Sequence, residues 1–73
     1  MKWIKYVGAQ EYYDEDFGYI VALVVKDRVW RGAGYKTVYN WHMIDDPTSG
    51  GVEDYLSVAK RCVKDYVKAY GVE

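Results

Sequence analysis

The sequence is poor in the residues that build disulfides, zinc sites and catalytic centres. Its 73 residues include one cysteine, one histidine and one proline. A lone cysteine excludes an internal disulfide, and no Cys/His pattern has the spacing of zinc ligands. The longest apolar run, residues 19–25, is far too short to span a bilayer, and residues 1–3 do not begin a signal peptide. These absences predict a cytoplasmic chain with no membrane contact and no cofactor.

The charge balance and the aromatic content are more informative. Ten basic and eleven acidic residues give a formal charge of −1, which argues against a general polyanion binder. Nine tyrosines, three tryptophans and one phenylalanine are a surplus of rings for a chain of this length. A domain this small buries only about 60% of the surface that its unfolded chain exposes. Residues 1–73 are therefore predicted to form a single domain that depends on dense aromatic packing or on self-association.

The last third of the chain has the periodicity of one amphipathic helix. Apolar residues recur at intervals of three and four from Val52 to Tyr70, and polar residues fill the positions between them. Acids precede bases along this segment, as the helix dipole favours. Gly50 is predicted as the N-cap, Glu53 as a capping-box acid and Gly71 as the residue that ends the helix.

The preceding residues have the pattern of strands separated by polar or glycine-rich turns. Alternation predicts strands over residues 2–7, 17–26 and 35–44, with a short returning strand over residues 28–31. Residues 8–16 break the strand pattern and end in a solvated turn at residues 14–16, and Asp27 and residues 32–34 are predicted as further turns. The expected fold is α+β: a three- to four-stranded antiparallel β-meander with the C-terminal amphipathic helix packed on one face.

One helix covers one face of a sheet, and the rings outnumber the positions beneath it. Some rings are therefore predicted to lie exposed or under a partner, and Tyr and Trp recur at binding hot spots. Three alternatives remain for what covers these rings: the chain's own loops, a second copy in a homodimer, or a host protein or protein complex. The predicted protein-binding residues combine rings with an acidic turn that would steer a basic partner: Tyr12, Tyr13, Asp14, Glu15, Asp16, Tyr39 and Trp41.

A second group of residues favours nucleic acid as the partner. Basic and aromatic side chains surround the turn that follows the central strand, at Lys26, Arg28, Trp30, Arg31 and Lys36, with Tyr35 as the second ring. Cations neutralise phosphates and rings stack on bases, so this pattern suits a DNA- or RNA-binding module. Lys60, Lys64 and Lys68 form a further basic row on the helix, which is also typical of an ordinary solvated face.

No group of residues has the spacing of a catalytic centre. His42 has Asn40 and Ile44 beside it on its strand face, and neither is a nucleophile or a carboxylate. Cys62 lies on the apolar face of the predicted helix, which is typical of a core residue. Acids at positions 11, 14, 15, 16, 45 and 46 offer oxygen ligands to Ca²⁺ or Mg²⁺, yet they lack EF-hand spacing, and a solvated turn is the default interpretation. The chain is predicted not to be an enzyme and to hold no metal.

Three features resemble known families. Residues 1–7, with the order Met-Lys-aromatic-Ile-Lys-Tyr-aliphatic, resemble the first strand of a small phage anti-CRISPR family, which implies an inhibitor that binds a host surveillance complex. Residues 14–21 are similar to the acid-Gly-Tyr-aliphatic strand of HicB-type antitoxins, although the Pro-Gly-Cys turn of that family is absent. The order of strands followed by a helix resembles the DNA-binding domains of integrase arms. That resemblance implies base contacts from Arg28, Trp30, Arg31 and Lys36.

Together these observations predict a non-enzymatic protein-binding module of the kind with which a phage inhibits a host defence complex. It would act through an exposed aromatic sheet face and the acidic turn. The alternative is a DNA- or RNA-binding module that reads nucleic acid with the hairpin of residues 28–36.

Overall fold

A computed structural model of the chain describes residues 1–46 and 48–70. These residues form one antiparallel sheet of five strands, which follow one another in the order of the chain, and one helix. The elements are β1 (Lys2–Tyr6), β2 (Ala9–Asp14), β3 (Tyr19–Arg31), β4 (Gly34–Met43), β5 (Gly50–Glu53) and α1 (Leu56–Tyr70). The predicted α+β meander with a C-terminal helix on one face is confirmed, with one strand more than expected.

Strand β2 lies within residues 8–16, where an interruption of the strand pattern was predicted. It pairs with β1 on one side and with β3 on the other, which makes it an interior strand. Three polar residues, Gln10, Glu11 and Asp14, interrupt the apolar pattern that would have marked it. The backbone hydrogen bonds of a ladder do not depend on side-chain type, so the neighbouring strands stabilise a segment that is polar in sequence. The predicted interruption was wrong for Ala9–Asp14, whereas residues 15 and 16 of the predicted turn do lie in a turn.

Strand β3 is longer than predicted because it passes straight through Asp27. The carboxylate of Asp27 accepts a hydrogen bond from the Arg28 backbone N–H at 2.7 Å and one from Asn40 Nδ2 at 3.4 Å. These donors satisfy the carboxylate within an extended strand, so the turn and the separate short strand predicted there were wrong. The glycine turn that follows is as predicted, with Gly32 at a φ of 60° that glycine adopts without strain.

Helix α1 begins four residues later than predicted, since the residues at 50–53 form β5. The Ala59 N–H donates to the Tyr55 carbonyl at 3.1 Å, which makes Tyr55 the N-cap. The capping roles predicted for Gly50 and Glu53 were therefore wrong. Gly71, the predicted C-terminal glycine, lies outside the described residues.

The core lies between α1 and one face of the sheet, which we call the helix-side face. Its buried apolar residues come from β3, β4 and α1: Val21, Ala22, Val24, Met43, Ala59 and Val63. Strict alternation would send Val21 and Ala22 to opposite faces, but a register shift between β2 and β3 lets both join the core. Half-buried rings surround the cluster, so part of the aromatic surplus packs beneath the helix.

The other side of the sheet, which we call the open face, has no helix over it among the described residues. Val38 lies on this face and is nevertheless completely buried. Two polar pairs flank it: Asn40 with Asp27 at 3.4 Å, and Lys36 Nζ with Asp54 Oδ1 at 3.1 Å. The strand register places these four side chains around Val38, and their aliphatic parts shield it from water.

The loop between β4 and β5 is tied to α1 through Asp46. Its carboxylate accepts hydrogen bonds from Ser49 Oγ at 2.6 Å, Thr48 Oγ1 at 2.6 Å and the Tyr66 hydroxyl at 3.0 Å. Hydrogen bonds from Ser49, Thr48 and Tyr66 stabilise the charged form and lower the pKa of Asp46 to about 2. Because Tyr66 belongs to α1, this network connects the loop to the helix.

Candidate nucleic-acid interface

The β3–β4 hairpin extends beyond the rest of the sheet. Pairing of β2 with β3 ends at Val25, and pairing of β5 with β4 ends at Tyr39. Past these points the two strands pair with each other alone, apart from one bond from the Lys26 N–H to the Gly8 carbonyl. We call residues 26–37 the arm. Six residues of extended strand span about 20 Å, which agrees with a molecule 45 Å long and 24 Å by 18 Å across.

Two aromatic rings are exposed near the tip of the arm. Trp30 and Tyr35 are cross-strand partners whose ring centroids lie 5.2 Å apart with an angle of 79° between their planes. The exposed fractions of these residues are 63% and 65%. The guanidinium carbon of Arg28 lies 5.0 Å from the centre of the Tyr35 ring, in a cation–π contact. The arm thus presents an aromatic pair and a cation to solvent together.

The arm carries four cations and a single acid. Lys36 forms an ion pair with Asp54 at 3.1 Å. Lys26, Arg28 and Arg31 have no ion-pair partner within residues 1–46 and 48–70. The arm is therefore positively charged, whereas the rest of the chain holds six bases and ten acids.

A second basic region lies on α1 and β1, on the helix-side face. The Lys60 ammonium lies 4.8 Å from the centre of the Trp3 ring. Burial, followed by the nearby charges of Lys5 and Lys64, lowers the pKa of Lys60. Like charges that disfavour one another mark a region of positive potential, which attracts anions.

A cleft separates the base of the arm from the start of α1. Its volume is about 210 Å³, and residues of β1, β2, β3, β4 and α1 line it, among them Lys5, Gln10, Val24, Lys26, Tyr39 and Leu56. Lys5 belongs to the basic region on β1, and Lys26 belongs to the arm. The cleft therefore connects the two basic regions of the helix-side face.

The five residues predicted for nucleic-acid binding all lie on the arm. Alternation along the ladder places Lys26, Arg28 and Trp30 on the helix-side face, and Arg31 and Lys36 on the open face. Tyr35, the ring grouped with Trp30 in the sequence pattern, also lies on the arm. The predicted set left out Lys5, because no local pattern connects Lys5 with the arm.

Three of the four rings predicted for protein binding share one face of the sheet, where they pack against the core. Tyr12, Tyr39 and Trp41 lie on the helix-side face and pack against the core. The Trp41 Nε1 also donates to Glu53 Oε2 at 3.3 Å. Tyr13 is half-buried and occupies the register shift between β2 and β3. This set leaves few exposed ring faces for a partner.

The acidic turn is divided between a structural and an exposed part. Asp14 is 4% exposed, and its Oδ1 accepts the backbone N–H of Asp16 at 3.0 Å and that of Phe17 at 3.2 Å. Glu15 pairs with the amino terminus at 3.8 Å and with Lys2 at 3.9 Å. Asp16 is exposed. Only Glu15 and Asp16 are placed to meet a partner, and Asp14 shapes the β2–β3 turn.

Other chemistry finds little support in the arrangement of side chains. Within residues 1–46 and 48–70, no three His, Cys, Asp or Glu side chains are grouped as metal ligands would be. Burial, then the charges of Glu53 and Asp65, raises the pKa of Cys62, which keeps the sulfur in its less reactive thiol form. Over the same described residues, no helix is long and apolar enough to cross a bilayer.

No family model, curated protein or solved structure matches the chain. The resemblances to anti-CRISPR proteins, HicB-type antitoxins and integrase arms therefore stay predictions.

Proposed function

We propose that this chain binds nucleic acid through the arm. The observation that carries the proposal is a ribbon about 20 Å long that exposes an edge-to-face Trp30–Tyr35 pair among cations, three of which have no ion-pair partner in the described chain. Rings of this kind stack on bases, and such cations neutralise phosphates.

Single strands suit this surface better than duplexes do. In a duplex the bases are stacked on one another and offer only their edges, whereas an unpaired base offers its whole face to a ring. Trp30 and Tyr35 meet edge to face and are 63% and 65% exposed, so ring surface of both residues is accessible to a base. Lys26, Arg28 and Trp30 follow one another along the same strand face at intervals of about 7 Å. Unpaired DNA or RNA is therefore the expected ligand.

The experiment is a titration of a labelled single-stranded oligonucleotide, followed by fluorescence anisotropy. Trp30→Ala is expected to weaken binding by about 1–3 kcal/mol, the contribution of one stacked base. The matched control is Tyr55→Ala, because Tyr55 is 69% exposed and lies outside the arm. Equal affinities of wild type and Trp30→Ala, or an absence of binding at low salt, would overturn the proposal.

A protein partner is a second candidate, favoured by the open face. Tyr6, Val25 and Val52 are 57%, 37% and 56% exposed on that face. Apolar surface of this kind suits a host protein or a second copy of the chain. The resemblance of residues 1–7 to phage anti-CRISPR proteins adds a host defence complex as the partner to test first.

Two measurements test this second candidate. Sedimentation over a range of concentrations tests the homodimer, since a mass that stays monomeric excludes it. Binding of a purified host defence complex is expected to be lost in Val52→Lys and retained in Trp30→Ala, because only Val52 lies on the open face of the sheet proper. Retention of binding in Val52→Lys would remove the open face as the protein interface.

A further inference from the structure

We infer that the cleft between the arm and α1 receives one unpaired base of the nucleic acid that the arm binds. The inference rests on the proposed function and deepens it, because it assigns the step of base recognition to residues outside the arm.

The central observation is a buried amide that faces the cleft without a partner. Gln10 is 9% exposed and lines the cleft, and its Oε1 atom is buried with no hydrogen bond. In the strand register Gln10 stands between Lys5 of β1 and Val24 of β3. Buried amides in folded proteins are nearly always hydrogen-bonded, because an unpaired one loses its hydration without compensation. A 180° rotation of the amide exchanges Oε1 with Nε2, so either atom can take the buried position while the other one is left for a ligand in the cleft.

A base is the ligand that an amide of this kind fits. The Gln10 side chain offers an acceptor and a donor side by side, and bases carry donors and acceptors next to one another on their edges. The cleft has a volume of about 210 Å³ and opens to solvent, which leaves room for one flat ring system. A base whose edge is free to pair with the amide comes from a single strand.

The surroundings of the amide match the other parts of a nucleotide. Val24 and Leu56 supply apolar walls, and Tyr39 supplies an aromatic ring. Lys5 and Lys26 supply positive charge at the border of the cleft, where the phosphates on either side of the base would lie. Lysines alone would favour any small anion, but the apolar walls and the buried amide favour a base attached to its phosphates.

The arm and the cleft lie close enough to share one strand of nucleic acid. Lys26 belongs to both, and Trp30 lies four residues further along the same strand face of β3. Four residues of strand span about 13 Å. A chain whose bases stack on the arm can therefore continue into the cleft.

The test is a nuclear magnetic resonance titration that follows the side-chain amide signals of the chain. Gln10 is the only glutamine and Asn40 the only asparagine, so the side-chain amide region holds two pairs of signals. Adenosine 5′-monophosphate is expected to shift the Gln10 pair, and ribose 5-phosphate, which lacks the base, is expected to leave it in place. The Asn40 amide is the internal control, because it bonds to Asp27 on the open face.

Gln10→Met provides the matching variant, since methionine has a similar length and no amide. It is expected to fold, because the substitution removes an unsatisfied group, and a thermal unfolding curve checks this. Binding of the single-stranded oligonucleotide is expected to fall about tenfold, the lower range for a paired base contact. Trp30→Ala is expected to leave the response of Gln10 to the mononucleotide intact.

The outcomes separate this inference from the proposed function. A Gln10 signal that ignores the mononucleotide, or a Gln10→Met variant that binds the oligonucleotide as tightly as wild type, would overturn the inference. If the oligonucleotide still binds and Trp30→Ala still weakens it, the proposed function survives that result. If wild type binds no oligonucleotide, the proposed function fails and the base pocket fails with it.

Discussion

The salt dependence of binding is the sharpest consequence of the arm. Each phosphate that a cation neutralises adds about −0.7 to the slope of log affinity against log salt for a single strand. Of the four arm cations, Lys36 is already paired with Asp54 at 3.1 Å. The remaining three predict a slope of about −2 for the arm, so that affinity falls roughly 20-fold between about 50 mM and 200 mM salt.

Two substitutions are expected to change that slope in opposite directions, and a third is expected to leave it unchanged. Asp54→Asn releases Lys36 and should steepen the slope to about −2.8, with tighter binding at low salt. Arg31→Ala removes one free cation and should reduce the slope to about −1.4. Lys68→Ala is the matched control, because Lys68 lies about 18 Å along α1 from the helix start that borders the cleft. Its slope should equal that of wild type.

Fluorescence anisotropy with one labelled oligonucleotide at several salt concentrations measures all four slopes. A wild-type slope shallower than about −1 would mean that fewer than two arm cations meet phosphates. Equal effects of Arg31→Ala and Lys68→Ala would mean that the charge acts over the whole surface and not through the arm. Either result would refute the assignment of the phosphate contacts to residues 26–37.

Three further predictions concern the packing of the sheet, the loop between β4 and β5, and the helix. Gly50→Ala is expected to lower the urea midpoint of unfolding, because a Cβ at position 50 would collide with the Trp41 carbonyl oxygen. Gly34→Ala is the control, because a Cβ at position 34 meets nothing within 4 Å. Equal midpoints of the two variants would contradict the close β4–β5 pairing. The pKa of Asp46 is about 2 against an ordinary 3.8, so Asp46 contributes stability that is present above about pH 4 and is lost as the pH falls towards 2. Asp46→Asn should therefore reduce the dependence of the urea midpoint on pH over this range. A pH dependence equal to that of wild type would argue against the loop network. Val63 is completely buried, so Val63→Ala should reduce the free energy of unfolding by about 2 kcal/mol and lower the Tm by about 8–16 °C in calorimetry. A negligible change in Tm would mean that α1 does not pack against the core.

The helix and the long strands were predictable because their own side chains carry the pattern. The apolar spacing of α1 and the apolar run at the start of β3 need no information from elsewhere in the chain. Strands β2 and β5 were missed because they are polar or rich in glycine, and their neighbours in the ladder stabilise them. Asp27 was misplaced for a related reason: its type favours turns, but Asn40 on the opposite strand supplies a donor that makes an extended conformation acceptable.

The same distinction between local pattern and strand pairing separates the parts of the candidate site that were predicted from the parts that were missed. The arm residues are neighbours in sequence, so the pattern around one glycine turn was enough to group them. Tyr39 and Trp41 were expected to be exposed because the chain has more aromatic rings than one helix can cover. Such a count does not say which rings are covered, and both residues pack against the core. The cleft was out of reach, because Lys5, Gln10 and Tyr39 come from three different strands and only their pairing brings them together.

The net charge of −1 looked like an argument against an anionic ligand, but a net charge is an average over the chain. Interactions between exposed charges are screened within about 10 Å at 0.1 M salt. A ligand at the tip of an arm about 20 Å long would therefore sense the cations of the arm more strongly than the acids far from it, although Asp54 already pairs with Lys36. The acids elsewhere in the chain would repel the rest of a bound strand and would favour its position on the arm and the basic part of the helix-side face. The net charge of −1 is therefore compatible with the proposed binding of nucleic acid through the arm.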